Sequence, residues 1–261
     1  MGLFYAYFRN VNDDYSYRYV AVFATREVAD EWWRAVSESS NVQFANSVKR
    51  LTPHLYTHNP NVYVVYTSLT TAGVATNFLG RVFFTLLPNR DVYTGFVPIP
   101  SPEITDHVSG NIFFIRSKAN PEEYWYCPPS HSGLVASGTP VYASTTNRTR
   151  FRVTRIPGSG STPANSIIIG TDKVSVELAA SADLSVTTRQ TPTGVSQVIV
   201  GTAGTMIFSD LKRSFRAGTG IIAPCSCGGG PNDTGPCTCG SGTIVRDLFK
   251  TNDGEDWELF N

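Results

Sequence analysis

Four cysteines offer the clearest chemistry in the chain. Pro224-Cys225-Ser226-Cys227-Gly228 is followed by Pro236-Cys237-Thr238-Cys239-Gly240, with a glycine-rich stretch between them. Four thiolates are the donor set of a tetrahedral structural zinc. Cys-x-Cys is an unusual zinc spacing, so three readings stand side by side: a metal site at Cys225, Cys227, Cys237 and Cys239, disulfides that pin the loop, and free thiols. The Gly228 to Gly235 stretch reads as a surface loop. The fifth cysteine, Cys127, has His131 nearby, but no orienting or oxyanion group accompanies them, so a buried structural thiol is expected.

Other reactive residues are sparse. Asp13, Asp14, Glu27, Asp30, Glu31, His54 and His58 are the titratable supply of the first hundred residues, and no spacing organises them. His54 and His58 are four apart, but Pro53 and Pro60 flank them, which argues against a metal pair on one helix face. Gly-x-Ser-x-Gly, a phosphate-binding glycine loop and His-Glu-x-x-His are all absent. Arg148, Arg150 and Arg152 alternate, as on one strand face. They suit a sulfate, a phosphate or an acidic sugar, or simply a solvated edge that resists aggregation. Tyr15, Tyr17 and Tyr19 alternate in the same way, which suits stacking on bases or packing in a core or interface.

Charge narrows the choice. The 21 Lys and Arg balance the 21 Asp and Glu, so no global field would draw in nucleic acid. Charged residues make up only 16% of the 261 positions, which leaves Ser, Thr, Asn, Gly and Tyr to cover the surface and favours neutral polar ligands. No window of about eighteen apolar residues exists, so no membrane span is expected. The first residues lack a basic segment followed by an apolar run, and the expected location is cytoplasmic.

The elements that would position these groups fall into two sets. The first hundred residues read as α+β. Apolar strand patterns occupy 3–8 and 15–23, and a helix runs from Thr25 to about Ser37 with Ala29, Trp32, Trp33 and Val36 on one face. A second helix is expected over Val42 to Arg50, then strands at Val62–Thr67 and Arg81–Leu87. The prolines of Val97 to Pro102 read as a stiff linker. Beyond it, β-type runs alternate with turns: Ile112–Ser117, Phe151–Ile156, Ser166–Ile169, Val174–Leu178, Gln197–Val200, Thr205–Phe208, Thr243–Asp247 and Trp257–Phe260.

An internal repeat organises this second set. Ser137 to Val141 followed by Phe151-Arg152-Val153, Ser181 to Val186 followed by Gln197 to Val200, and Ser241 to Val245 followed by Trp257 to Phe260 align as a small-residue turn, a strand, a polar loop and a second strand. The expected fold is therefore mainly β, a C-terminal β-trefoil over 106–261 with a Cys/Gly-rich insertion at about 224–240, and a smaller N-terminal α+β domain over 1–105.

Gly138-Thr139-Pro140-Val141 with Asn147, and the terminal Asp256-Trp257-Glu258-Leu259, resemble the ricin-type β-trefoil family over the C-terminal part. That family includes cytoplasmic fungal defence lectins and small protease inhibitors. Its Gln-x-Trp signature is missing from all three copies, where Phe151, Val198 and Trp257 stand at the aromatic position. The resemblance implies a non-catalytic, lectin-like protein that binds a glycan or glycoprotein through Tyr142, Asn147, Asn252, Asp253 and Trp257. Trp125 is a second candidate platform. No cofactor is expected beyond the candidate zinc, and a homodimer is a further expectation. The alternatives are a β-trefoil protease inhibitor and a toxin-like enzyme with its site in the N-terminal module.

Overall fold

Thr25 caps the first helix as its position suggests: its hydroxyl accepts from the Val28 N–H, and helix α1 follows over Arg26–Ser37. The computed structural model describes residues 2–13, 15–88, 105–129, 134–157, 166–222 and 244–261. It divides into two units, Met1–Asp106 and His107–Asn261.

The first unit is a five-stranded mixed sheet. Its elements are β1 (Phe4–Asn10), β2 (Tyr19–Phe23), α1, α2 (Val42–Ser47), β3 (Val48–Thr52), β4 (Leu55–His58) and β5 (Val82–Leu86). The strand order is β3-β4-β1-β2-β5, with β1 and β4 parallel. Period-two alternation turns Ala6, Phe8, Tyr19, Ala21, Phe23, Tyr56 and Val82 to one face, where Ala29, Trp32 and Val36 of α1 cover them. Trp32 also donates its indole N–H to Ser68 at 3.2 Å, which ties the helix to a 3₁₀ turn at Val65–Leu69.

Three local expectations give way here. The helix over Val42 to Arg50 ends at Ser47, because Val48–Thr52 is captured as a strand by the turn at Pro53 and pairs with β4. The strand expected at Val62–Thr67 is a turn followed by the 3₁₀ segment. The strand through Tyr15 and Tyr17 starts only at Tyr19. The Asp13 carboxylate accepts from the Tyr15 and Ser16 N–H groups and closes a turn there instead.

A charged cluster lies under this sheet. Arg50 donates to both oxygens of Asp106, to Asp30 at 2.7 Å and to the Tyr56 hydroxyl at 2.9 Å. The Arg50 and Asp30 side chains are 3% and 7% exposed, and Asp30 also pairs with Arg26 at 3.3 Å, so the buried charges are neutralised as a network of two arginines and two carboxylates.

The second unit is built from antiparallel strands: β6 (Ile112–Ser117), β7 (Tyr124–Tyr126), β8 (Tyr142–Ser144), β9 (Phe151–Arg155), β10 (Lys173–Leu178), β11 (Ser181–Gln190), β12 (Ser196–Gly201), β13 (Met206–Ile207), β14 (Lys212–Ile222), β15 (Ile244–Lys250) and β16 (Glu255–Phe260). The expected strand at Ser166–Ile169 is a single bridge from Ile167 to Val108. Eight strands close on themselves in the order β12-β11-β10-β9-β6-β16-β14-β15, with β15 pairing back onto β12. Closure leaves this ring without a free edge.

That ring corrects the expected β-trefoil. The three aligned segments do not occupy equivalent places. β11 and β12 of the second copy pair with each other as a hairpin. In the first copy, β8 pairs with β7 and β15 while β9 pairs with β6 and β10. In the third, β15 and β16 are both partners of β14. The repeated strand–turn–strand pattern is a local property, and pairing across the barrel is not threefold. The chain is mainly β, as expected.

Inward residues of every strand fill the barrel. Trp125 of β7 packs into this core, 5.0 Å from the Phe215 ring, 5.9 Å from Trp257 and 6.1 Å from Phe151. Phe151, Val198 and Trp257, which take the aromatic position of the ricin-type signature, all point into this core.

Candidate functional site

Two loops at one end of the first sheet are bound together, and tyrosines crowd their surface. The loop from β1 to β2 is ordered by its own side chains. Asp13 accepts from the Ser16 hydroxyl at 2.6 Å and from the Tyr15 and Ser16 N–H groups, while Asn10 donates to Asp13 and Ser16. The Ser16 hydrogen bonds hold the Asp13 carboxyl below the ordinary carboxylate range. The segment after β4 packs beside this loop. Asn12 donates its amide N–H to Asn59 Oδ1 at 3.2 Å, and the Val11 N–H bonds the His58 carbonyl.

His58 is the hinge pin of the pair. Its Nε2 lies 2.7 Å from the Tyr17 carbonyl oxygen, so this nitrogen carries the proton and donates. Burial pushes its pKa down, against the carbonyl contacts that favour the charged ring. Tyr19 packs edge-on against the His58 ring at 5.5 Å and lies 5.9 Å from the Tyr66 ring. Burial, then the neighbouring Tyr66 and Tyr17 phenols, raise the Tyr19 pKa. Tyr17 adopts φ +46°, a left-handed conformation that a tyrosine reaches only under constraint.

On these two segments Val11, Tyr15, Tyr17, Val62 and Tyr66 are each 48–57% exposed. The Asn12 and Asn59 amides, hydrogen-bonded to each other, join the two segments that carry them. Tyrosine rings present flat apolar faces with a polar tip, and amides supply both donors and acceptors. Such a surface suits a neutral, hydroxyl-rich ligand.

The residues expected to bind a ligand in the second unit are not brought together with an aromatic face. Trp257 is in the core, with its indole N–H donating to the Phe215 carbonyl at 3.1 Å. Tyr142 is covered too, and burial pushes its phenol up to about 12. Trp125 is fully buried in the same core. All three are therefore corrected from platforms to packing residues, since an inward strand position removes them from solvent. Asn147 is half-buried and donates to Thr146; Asn252 is exposed; Asp253 lies 3.5 Å from Arg216.

Cys127 is buried, and desolvation pushes its thiol up to about 12, which suppresses the reactive thiolate. Cys225, Cys227, Cys237 and Cys239 lie outside the described residues, as do Asp14, His131 and the Val97 to Pro102 linker. The titratable groups of the first unit are dispersed: Asp30 serves the Arg50 cluster, Glu31 pairs with Arg81 at 3.1 Å, and His54 stacks on Phe4 and contacts the Tyr5 carbonyl.

Tyr66, Asn12 and Asn59 had not been singled out in the sequence. The signal for the two asparagines lies in the turn-forming stretches Asn10 to Asp13 and Asn59 to Asn61, which bracket the same sheet end once β1 and β4 lie side by side.

No protein-family model matches this chain, and neither a curated protein nor a solved structure matches it. The fold is that of a mainly-β chain with a closed eight-stranded antiparallel ring and a mixed α+β unit. Among the described residues, no helix is long and apolar enough to cross a membrane.

Proposed function

We propose that the protein is a non-catalytic, lectin-like protein that recognises a neutral glycan, and that the tyrosine surface of the first unit is its platform. The observation that carries this reading is the exposure of Tyr15, Tyr17 and Tyr66, on segments fastened together by the His58–Tyr17 and Asn12–Asn59 hydrogen bonds. A sugar needs an aromatic face for its C–H surface and a few convergent hydrogen-bonding groups for its hydroxyls. Rigid loops lower the ordering cost of binding. The low share of charged residues, 16%, supports a neutral ligand.

The test is a broad glycan array followed by titration calorimetry with the best neutral oligosaccharide. Tyr15→Ala and Tyr66→Ala should each weaken binding about tenfold or more, the loss of one stacked ring. Binding should change little with salt, since no ion pair is used. An array without hits, beside tight inhibition of a protease in a panel, would replace this reading with the inhibitor.

A further inference from the structure

On the outer face of the barrel, two arginines share one aromatic ring and, among the described residues, have no carboxylate partner. The Arg148 guanidinium lies 4.4 Å from the Phe114 ring centroid and 5.6 Å from that of Tyr124; the Arg150 guanidinium lies 5.1 Å from Phe114. Phe114 and Arg116 are the outward residues of β6, while Phe113 and Ile115 fill the core. Arg148 and Arg150 themselves precede β9, and of the three alternating arginines only Arg152 is in that strand, with its guanidinium donating to the Gly110 carbonyl at 2.7 Å.

The neighbouring arginine shows what is missing. Arg116 lies over the Phe260 ring at 3.8 Å and is also neutralised by Glu258, at 2.6 and 3.1 Å. Among the described residues, Arg148 and Arg150 have ring contacts and no ion pair. A ring quadrupole orients a guanidinium but does not cancel its charge. Two such cations at one ring repel each other, and an anion between or beside them would relieve that repulsion.

We propose that Arg148 and Arg150, set on Phe114, form a subsite for a single oxyanion group, a sulfate, phosphate or carboxylate carried on an otherwise neutral ligand. A guanidinium fork matches such a group with paired N–H donors, and stacking on the ring fixes the fork in advance. The balanced net charge of the chain gives no long-range attraction for a polyanion, so a discrete anionic group is the fitting partner. This subsite lies in the second unit and does not depend on the tyrosine surface of the first.

The experiment follows the arginine side-chain Nε–Hε signals by nuclear magnetic resonance on the full chain. Inorganic sulfate, inorganic phosphate and acetate are titrated separately, then galactose 6-sulfate against galactose. The expected result is saturable shifts of Arg148 and Arg150 at millimolar anion, with the sulfated sugar binding at least tenfold tighter than galactose and losing affinity as sodium chloride rises. The separate anions tell which oxyanion is preferred. Arg148→Gln with Arg150→Gln should abolish this binding, while Tyr15→Ala with Tyr66→Ala should leave it intact. Unchanged affinity in the arginine variant with the fold intact, equal affinity for galactose and its sulfate, or tighter binding of a single-stranded oligonucleotide than of the sulfated sugar would each overturn the proposal.

Discussion

The imidazole Nε2 of His58 donates to the carbonyl oxygen of Tyr17 across 2.7 Å, although the two residues are 41 positions apart. This bond joins the end of β4 to the loop between β1 and β2, and it holds Tyr17 in its left-handed conformation. The bond also makes the loop pair sensitive to acid. In the unfolded chain, histidine takes up a proton near pH 6.5, whereas burial lowers the folded value. Below pH 6.5 the unfolded state therefore binds more protons, and stability falls until the folded value is passed. Denaturant titrations from pH 8 to 5 should show this loss, and His58→Gln should remove that part of it.

Tyr17 separates binding from stability. Tyr17→Gly removes the ring but relieves the positive φ, while glycine adds freedom to the unfolded chain; the two effects, each about 1 kcal/mol, oppose each other. Denaturation midpoints should shift little, and affinity for the neutral glycan should fall about tenfold or more.

The two barrel tryptophans should respond differently to the same change. Trp257→Phe leaves the buried Phe215 carbonyl without its donor, a cost of about 1–3 kcal/mol beyond the change in volume. Trp125 Nε1 has no acceptor among the described residues, so Trp125→Phe forfeits no hydrogen bond and should cost less. Glycan affinity should be unchanged in both. A specific loss of sugar binding in Trp257→Phe with full stability would return this residue to a ligand role.

Arg50→Met should destabilise the first unit by up to about 3 kcal/mol, because Asp106 would lose its guanidinium and the buried Asp30 would keep only Arg26. Adding Asp30→Asn should recover part of that loss, which a double-mutant cycle in urea would measure.

Deleting 224–240 should leave the barrel folded. The flanking strands β14 and β15 already pair at Ile222↔Ile244, so the chain leaves and re-enters at adjacent positions, and a long insertion there adds little closure entropy. Near-ultraviolet circular dichroism of the deletion variant would check this. Unfolding of the variant, with zinc found in the intact protein, would make the cysteines structural ligands.

The amphipathic helix at Arg26–Ser37, its Thr25 cap and the mainly-β character of the second unit were all legible in the chain, because each depends on periodicity or on contacts a few residues apart. Most β runs were placed for the same reason. The order in which those strands pair was not legible: a repeated strand–turn–strand pattern is compatible with several closures, and only contacts such as β12 with β15 select the eight-membered ring. Burial was undetermined for the same reason, which is why Trp257 and Tyr142 looked like ligand platforms. Alternation marked Tyr15 and Tyr17 but placed them on a strand. The turn around Asp13 and the long-range partners His58 and Asn59 turned them into a surface, and those partners meet only when the parallel pairing of β1 and β4 brings distant loops to one end of the sheet.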